Sequence, residues 1–425
     1  MHVLWLPSWF SAFAGDMAGS FFTEQAAALA GAGLEVGVLA PQPVNFALPR
    51  RTPVRLSQEG GVAVARFAAP QVIATTRRLS TLWAAPALHA AYAAYVRTHG
   101  VPDVLHAHSL YPGAFFAAHL SRREGIPFVY TEHRSLTHMP VRTWAGRASE
   151  RAVVAAATHR TAVSRGQADH LTQRFGPQSG AWLYTPNLLP LGQPEVDQAA
   201  PAPASASAPA ARGPVLGHLS LLGEEKRTDL IVAAFEELHA HWRACGAPAH
   251  SRPLLRIAGP TDGPDGQRTR AQVAASPARE QIELTGQLER AQIPAFCAGL
   301  DLFLLPSDTE TFGVAAIEAL AQGTPVIATR TWGGRSVVQE GDGHLVPIGD
   351  APALAAAIRA QLAGPRPAGA NTAGPGPRAA GDCAFTPEPA GVRAERARRC
   401  VERFGAQAWI ARWREIYQQA ATSSR

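Results

Sequence analysis

Short apolar runs alternate with segments of helical spacing along most of the chain, the pattern of repeated strand and helix units. HVLWLP (2–7) reads as a buried strand. The glycine-bearing loop SWFSAFAGDMAGS follows, then a helix from about Phe21 to Ala32 and a second strand, EVGVLAP. DVLHAHSLYPGAFFAAHL and IPFVYTEHRS give two more strand ends, both carrying histidines. The clearest unit covers 302–329, LFLLPSDTETFGVAAIEALAQGTPVIAT. LFLLP is an apolar run suited to a buried parallel strand, and SDTETFG supplies the turn residues that end it. From Gly313 to Gln322 the apolar residues Val314, Ile317, Leu320 and Ala321 recur at helical spacing, with Gly323 as a stop and Pro325 just beyond. PVIAT is the next buried strand. Strand, short helix and strand in this order form a right-handed crossover, and ligands of such sheets bind beyond the carboxyl ends of the strands.

Glu310 and the turn Thr311 to Gly313 fall at that end. Backbone N–H groups of Phe312, Gly313 and Val314 open a helix whose positive end suits a diphosphate. Glu310, in the loop, is in reach of hydroxyls of a sugar held over that helix end, and Glu318, about 7 to 8 Å along the helix, is in reach of a ribose. A nucleotide sugar would span both glutamates. On spacing alone, Glu318 and Gln322, four apart, read first as the solvated stripe of an otherwise apolar helix.

Lysine usage adds a separate signal. Lys226 is the only lysine in a chain with 39 lysines and arginines together, rich also in Ala, Gly and Pro. GC-rich coding of this kind drifts lysine to arginine wherever either serves, so a surviving ammonium invites a chemical reason. A compact charge with three rotatable donors matches a diphosphate. Chance retention on the solvated EEKR turn is the alternative.

The histidines carry less by themselves. His106 and His108 alternate along one strand and face the same side, but no third ligand with metal-site spacing follows. His133 ends VYTEH, where a hydrogen-bonded histidine at a strand terminus is the plain structural reading. The first strand is not followed by G-x-G-x-x-G, which disfavours a nicotinamide enzyme. Asp262 and Asp265 lie in PTDGPDG, which is a turn before it is a metal site.

Length and composition set the organisation. At 425 residues the chain suits two α/β domains. Residues 194–213 are rich in Pro, Ala and Ser without periodicity and read as a flexible linker, and 364–389 read as a disordered insertion. Residues 392–420 are helical, with Phe404, Trp409, Trp413 and Tyr417 available for packing. The expected parts are therefore 1–193, linker 194–213, 214–391, and a terminal helical segment 392–425. A net charge of +6 and a pI near 9.5 favour anionic partners such as nucleotide diphosphates, acidic glycans or an anionic membrane face. The arginines are scattered and no nucleic-acid motif is present, so nucleic acid is not an expected partner. Cys245, Cys297, Cys383 and Cys400 lie far apart and read as free thiols in a reducing cytosol. MHVLWLPSWF has no basic n-region and no cleavage site, and no stretch is long and apolar enough to span a membrane.

The segment P-S-x-x-E-x-F-G-x-x-x-x-E-A-L-A-x-G-x-P-V-I-A around Glu310 and Glu318 resembles the signature of family 4 retaining glycosyltransferases, and the likeness extends over nearly the whole chain. The resemblance implies a GT-B fold: two Rossmann-like, doubly wound α/β domains facing a cleft, the first for the acceptor and the second for the nucleotide sugar. A C-terminal helix crosses back to the first domain. GHLSLLGEEKRTDLIVAAF resembles the first strand, loop and helix of the second domain, which makes Lys226 the donor-phosphate lysine. Leu221 departs from the pattern, standing where the family often carries an arginine. By the same resemblance Glu310 orients the sugar, Glu318 holds the ribose, and His133 contacts the donor sugar. His108 lies near the cleft, and Gly19 lets backbone approach a substrate. Gly259 ends a strand beside the site, the loop from Gly286 to Leu288 cradles the base through backbone groups, and Gly333 and Gly334 belong to the closing turn. No metal or cofactor is implied beyond the nucleotide-sugar co-substrate. The N-terminal WLPSWF and GSFFTEQ segments resemble enzymes of bacterial surface polysaccharide and glycolipid assembly, which implies a glycan or lipid-linked acceptor and a cytoplasmic site at the inner membrane face. Arg77, Arg78, Arg142 and Arg147 are the arginines expected to touch an anionic membrane. The rival expectations are a noncatalytic GT-B protein that binds a nucleotide sugar or glycan, and a pyridoxal phosphate phosphorylase with Lys226 as the Schiff base.

Overall fold

The computed structural model describes residues 1–11, 19–45, 54–71, 77–137, 143–190, 213–246, 248, 251–363 and 385–423, so the expected linker and insertion lie largely outside the described residues. The chain divides into two units, Met1–Leu191 with Gly405–Arg425, and Gly192–Phe404.

In the first unit the order is β1 (His2–Pro7), α1 (Ser20–Gly31), β2 (Glu35–Asn45), β3 (Arg55–Glu59), β4 (Val62–Gln71), α2 (Arg77–His99) and β5 (Val104–His108). There follow α3 (Phe115–Glu124), β6 (Phe128–Glu132), α4 (Trp144–Ala156), β7 (His159–Ala162), α5 (Arg165–Phe175) and β8 (Trp182–Tyr184). The strands form one sheet in the order β3-β4-β2-β1-β5-β6-β7-β8, antiparallel only between β3 and β4. β1 is buried along its whole length, as a parallel strand covered on both faces must be, which is why it reads as an unbroken apolar run. Val3 pairs with Val36 on one side and Val104 on the other, so the connections diverge at β1. Such a switch point opens a crevice beyond the carboxyl ends of the strands, here after Pro7 and His108.

The second unit runs β9 (Val215–Leu219), α6 (Thr228–Ala244), β10 (Leu254–Ala258), α7 (Pro264–Ala275), β11 (Ile282–Gly286), α8 (Ile293–Ala298) and β12 (Leu302–Leu305). It continues with α9 (Val314–Ala321), β13 (Val326–Thr329), α10 (Trp332–Val337), β14 (Gly343–Val346), α11 (Ala351–Leu362) and α12 (Ala390–Phe404). Its sheet is all parallel, in the order β11-β10-β9-β12-β13-β14, with the switch point between β9 and β12. The core beneath it gathers Leu216, Ile231, Phe235, Ile257, Leu304 and Ile327. Burying each such side chain contributes roughly 1.5–3 kcal/mol.

The terminal helical segment is two helices, parted at Gly405. α12 stays with the second unit, where Phe404 packs edge-on against Phe312 at 5.6 Å between ring centroids. α13 (Ala406–Thr422) belongs to the first unit. Its Trp409, Trp413, Ile416 and Tyr417 join Val3, Trp5, Phe22 and Val38 in one apolar cluster, and the Trp409 indole N–H donates to Pro186 O at 3.0 Å. The two tryptophans are therefore core residues. Of the expected free thiols, Cys297 and Cys400 are free and buried. Cys245, half-exposed just past α6, is disulfide-bonded, against the expectation.

Candidate active site

The β9/β12 switch point decides which loops of the second unit meet. After β9 the chain makes a short 3-10 turn, Glu224–Lys226, before α6, and after β12 it runs from Pro306 to Gly313 before α9. The Lys226 ammonium donates to Glu310 Oε2 at 2.9 Å. The Asp308 N–H donates to Glu225 O at 2.8 Å, and the Arg227 guanidinium bridges Asp229 and Asp308 at 2.8 and 2.9 Å. Burial opposes charge on Lys226, but the Glu310 carboxylate and Glu225 outweigh it, so the ammonium titrates above the ordinary lysine range. One strand away, His218 on β9 donates from Nδ1 to Leu304 O at 2.8 Å and accepts at Nε2 from the Ser220 hydroxyl at 2.8 Å. Burial pushes this imidazole down to about 4, so a neutral ring braces β9 against β12.

Gly313 caps the amino end of α9 at φ 97° and ψ 61°, a left-handed conformation that a side chain would strain. Thr311 and Phe312 precede it and Val314 opens the helix, one residue inside the expected Gly313 start. The Glu310 carbonyl accepts the Gly333 N–H at 2.8 Å. Gly333 lies so close to Phe312 that a Cβ there would stand 2.5 Å from the Phe312 carbonyl oxygen. Gly334, beside it, donates its N–H to the Thr331 hydroxyl at 3.1 Å.

Glu318, on the second turn of α9, is 2% exposed and pairs with Arg290. It is not part of a solvated stripe. A buried carboxylate is costly unless a cation meets it, and here Arg290 does so from the turn Arg290–Gln292 after β11. Gly259, at the end of β10, donates its N–H to Gly286 O at 2.9 Å, which joins the expected strand-end glycine to the first glycine of the loop expected to cradle the base. Leu221 is 65% exposed at the loop after β9. Sequence reasoning missed Arg290, Asp308 and His218. For Arg290 the available signal was the E-x-x-Q of Glu289 and Gln292, which closes a capping box around the turn.

The first unit gathers its candidates at its own switch point. His108 Nδ1 and His133 Nε2 share a hydrogen bond at 3.1 Å, and the rings of His106 and His108 lie 3.9 Å apart, both on the face expected from their alternation. His106 is fixed between the Tyr417 hydroxyl and Thr131 Oγ1, each at 2.7 Å. His108 Nε2 and His133 Nδ1 are buried without hydrogen-bond partners. Burial pushes His133 down to about 3 and holds His106 and His108 well below the usual histidine range, so the trio is neutral. The fully buried Glu132 accepts the N–H groups of His133 and Arg134 at 2.9 and 2.8 Å and that of Leu110 at 3.0 Å, which fixes the turn carrying His133. Burial raises its carboxyl. Phe22 meets the His133 ring edge-on at 5.2 Å. Gly19 caps α1 at φ 83°, where a Cβ would stand 3.1 Å from Trp9 Cδ1. Of the arginines expected at a membrane, Arg77 instead pairs with the buried Glu150 of α4, Arg142 lies outside the described residues, and Arg78 and Arg147 are exposed. Among the described residues no cluster of three or more His, Cys, Asp or Glu is arranged for a metal, and no helix is long and apolar enough to cross a membrane.

Two family models match the chain, "Glycosyl transferase 4-like domain" over residues 18–187 and "Glycosyl transferases group 1" over residues 205–371. The 2-deoxystreptamine N-acetyl-D-glucosaminyltransferase of Streptomyces fradiae is 30% identical over 296 residues, 65% of this chain and 66% of that protein. The match spans two thirds or less of such curated relatives, 66%, 23% and 54% of three of them. Among solved structures, sucrose-phosphate synthase from Thermosynechococcus elongatus is similar with a TM-score of 0.71 at 20% identity, over 100% of both chains. Anabaena HepE in complex with UDP and glucose is similar with a TM-score of 0.65 at 17% identity, over 98% of this chain and 99% of that one. At these identities the solved structures establish the fold, and the fold is GT-B. The chain belongs to the glycosyltransferase 4-like, group 1 glycosyltransferases.

Proposed function

We propose that the chain transfers a sugar from a nucleotide-diphosphate sugar to a hydroxyl acceptor with retention of anomeric configuration. The observation that carries this reading is the convergence of the sole lysine, Glu310 and the amino end of α9 at one switch point, with Glu318 buried further along the same helix. As the bond from the sugar C1 to the leaving phosphate oxygen breaks, negative charge grows on the diphosphate. Lys226 and the N–H groups opening α9 are placed to stabilise it, and losing one such donor costs about 10²–10³ in kcat. The acceptor hydroxyl attacks C1 on the same face and gives its proton to the departing phosphate oxygen. The products are a nucleoside diphosphate and a glycoside. Glu310, released from Lys226 when the diphosphate takes the ammonium, orients the sugar hydroxyls, and Glu318 holds the ribose. His133 contacts the sugar with a neutral ring. The reaction so drawn needs no metal and no further cofactor.

The acceptor in this reading is a glycan or a lipid-linked saccharide, met in the cytoplasm at the inner membrane face during surface polysaccharide or glycolipid synthesis. The second reading, a noncatalytic GT-B protein that binds a nucleotide sugar or glycan, has Leu221 in its favour, exposed where an arginine was expected. Incubation with UDP-, GDP- and ADP-sugars separates the two. Release of a nucleoside diphosphate that Lys226→Met abolishes, with NMR showing the donor's anomeric configuration kept in the product, supports transfer. Binding without turnover in the presence of varied acceptors selects the second reading.

A further inference from the structure

One surface of the first unit lies outside the chemistry described so far. α2 has no acidic residue in its 23. Its first turns bury Ser80, Thr81, Ala84 and Ala85, so helical periodicity leaves Leu79, Leu82 and Trp83 outward, at 58%, 51% and 51% exposure, beside the exposed Arg78. α4 shows a similar stripe. Trp144, 77% exposed, is followed at the three- and seven-residue helical spacings by the exposed Arg147 and Arg151. The single carboxylate of α4, Glu150, is turned inward and held by Arg77 of α2 and Arg174 of α5, and the Arg77 pair joins the two helices. The described faces of both helices thus combine large apolar side chains with arginine and expose no carboxylate.

We propose that this face docks on an anionic lipid surface, with Trp83 and Trp144 entering at headgroup level and Arg78, Arg147 and Arg151 pairing with lipid phosphates. Tryptophan is suited to that depth because one end of its ring system is apolar and the other polar. The arginines select the occupant. A second copy of the chain would set arginine against arginine, whereas a phosphate-bearing bilayer complements them at about 1 kcal/mol per arginine. The inference deepens the acceptor half of the reading above by naming the surface at which the acceptor is met, and its test needs no catalysis.

Full-length protein is sedimented with vesicles of phosphatidylcholine alone and of phosphatidylcholine mixed with phosphatidylglycerol, at low and high salt. Wild type is expected on the mixed vesicles only, and less at high salt. Arg78→Gln with Arg147→Gln should weaken that binding about 30-fold, from roughly fivefold per charge. Trp83→Ser with Trp144→Ser should release the protein as well, while Arg97→Gln, at the far end of α2, changes binding far less. The substituted positions are exposed, and an unchanged melting temperature confirms the fold of each variant. Failure of wild type to sediment with the mixed vesicles, or sedimentation that the double variants leave unchanged, overturns the proposal. A dimer by light scattering that the tryptophan pair abolishes assigns the face to a second copy instead. Nucleoside diphosphate binding by the same variants is expected to equal wild type, so a negative vesicle result leaves the donor reading standing, and a protein that binds vesicles but no nucleotide leaves the docking surface standing.

Discussion

Glu310→Gln removes one charge and keeps the side chain's size. In the free site the Lys226 ammonium sits 2.9 Å from the Glu310 carboxylate, with the two side chains 21% and 15% exposed. Unit charges at about 3 Å in an effective dielectric of about 20 attract by roughly 5 kcal/mol. Desolvation cancels most of this, and a hydrogen bond between charged groups keeps about 1.5–3 kcal/mol net. A diphosphate entering the site must draw Lys226 from that carboxylate and also approach its negative charge. At about 6 Å and a dielectric near 40 the repulsion alone is roughly 1.4 kcal/mol. Glu310→Gln is therefore expected to bind a nucleoside diphosphate about tenfold more tightly than wild type, measured by calorimetry with UDP, GDP and ADP. In the same variant, turnover of the nucleotide sugar should fall about 100-fold, since the group that orients the sugar has lost its charge. A variant that binds the diphosphate more weakly than wild type would refute the reasoning. The carboxylate would then be holding Lys226 in place for the phosphate rather than competing with it.

Other expectations follow from the same geometry. Glu318→Gln leaves Arg290 without its buried carboxylate and should cost about 1–3 kcal/mol in urea unfolding while weakening nucleotide binding. Gly313→Ala places a Cβ at φ 97° and should cost about 1–2 kcal/mol, read as a lower melting temperature and a slower transfer step. Trp409→Ala empties part of the first unit's core, and a loss of about 3–5 kcal/mol is expected in chemical denaturation. Stability should also fall with acid. Burial depresses His106, His108, His133 and His218 below their unfolded value near 6.5, so the unfolded chain binds more protons, and their contribution is complete above about 6.5 and lost as pH falls toward about 3 for His133 and about 4 for His218. Glu132, raised by burial, acts in the opposite sense but is one group against four. The melting temperature is expected to drop between pH 7 and pH 5, with a shallower slope in His218→Gln.

What was legible in the sequence was local. The strand, turn and helix around Gly313 could be read because Pro306 and Gly323 punctuate both ends, and the observed helix Val314–Ala321 differs from the expected span by one residue at each end, where the caps sit. The pairing of Lys226 with Glu310 could not be derived from spacing, because 84 residues separate them and only the strand order β9-β12 brings their loops together. Strand order is a property of the whole sheet. Spacing alone put Glu318 on a solvated stripe, because a charge on a helix that is apolar on nearly every other side is expected to meet solvent, whereas it is buried. Its burial depends on Arg290, which comes from another strand's loop. The break at Gly405 was hidden because both helices flanking it are amphipathic, and one glycine between them does not reveal which unit each helix packs against. Cys245 carried no motif that pointed to a disulfide.

The most direct test of the account is calorimetric titration of UDP, GDP and ADP into wild type, Lys226→Met and Glu318→Gln. One nucleotide family is expected to bind wild type and each substitution to weaken that binding about tenfold or more, with the parent nucleoside insensitive to Lys226→Met. A folded wild type that binds no nucleoside diphosphate, or one whose affinity both substitutions leave unchanged, would contradict it.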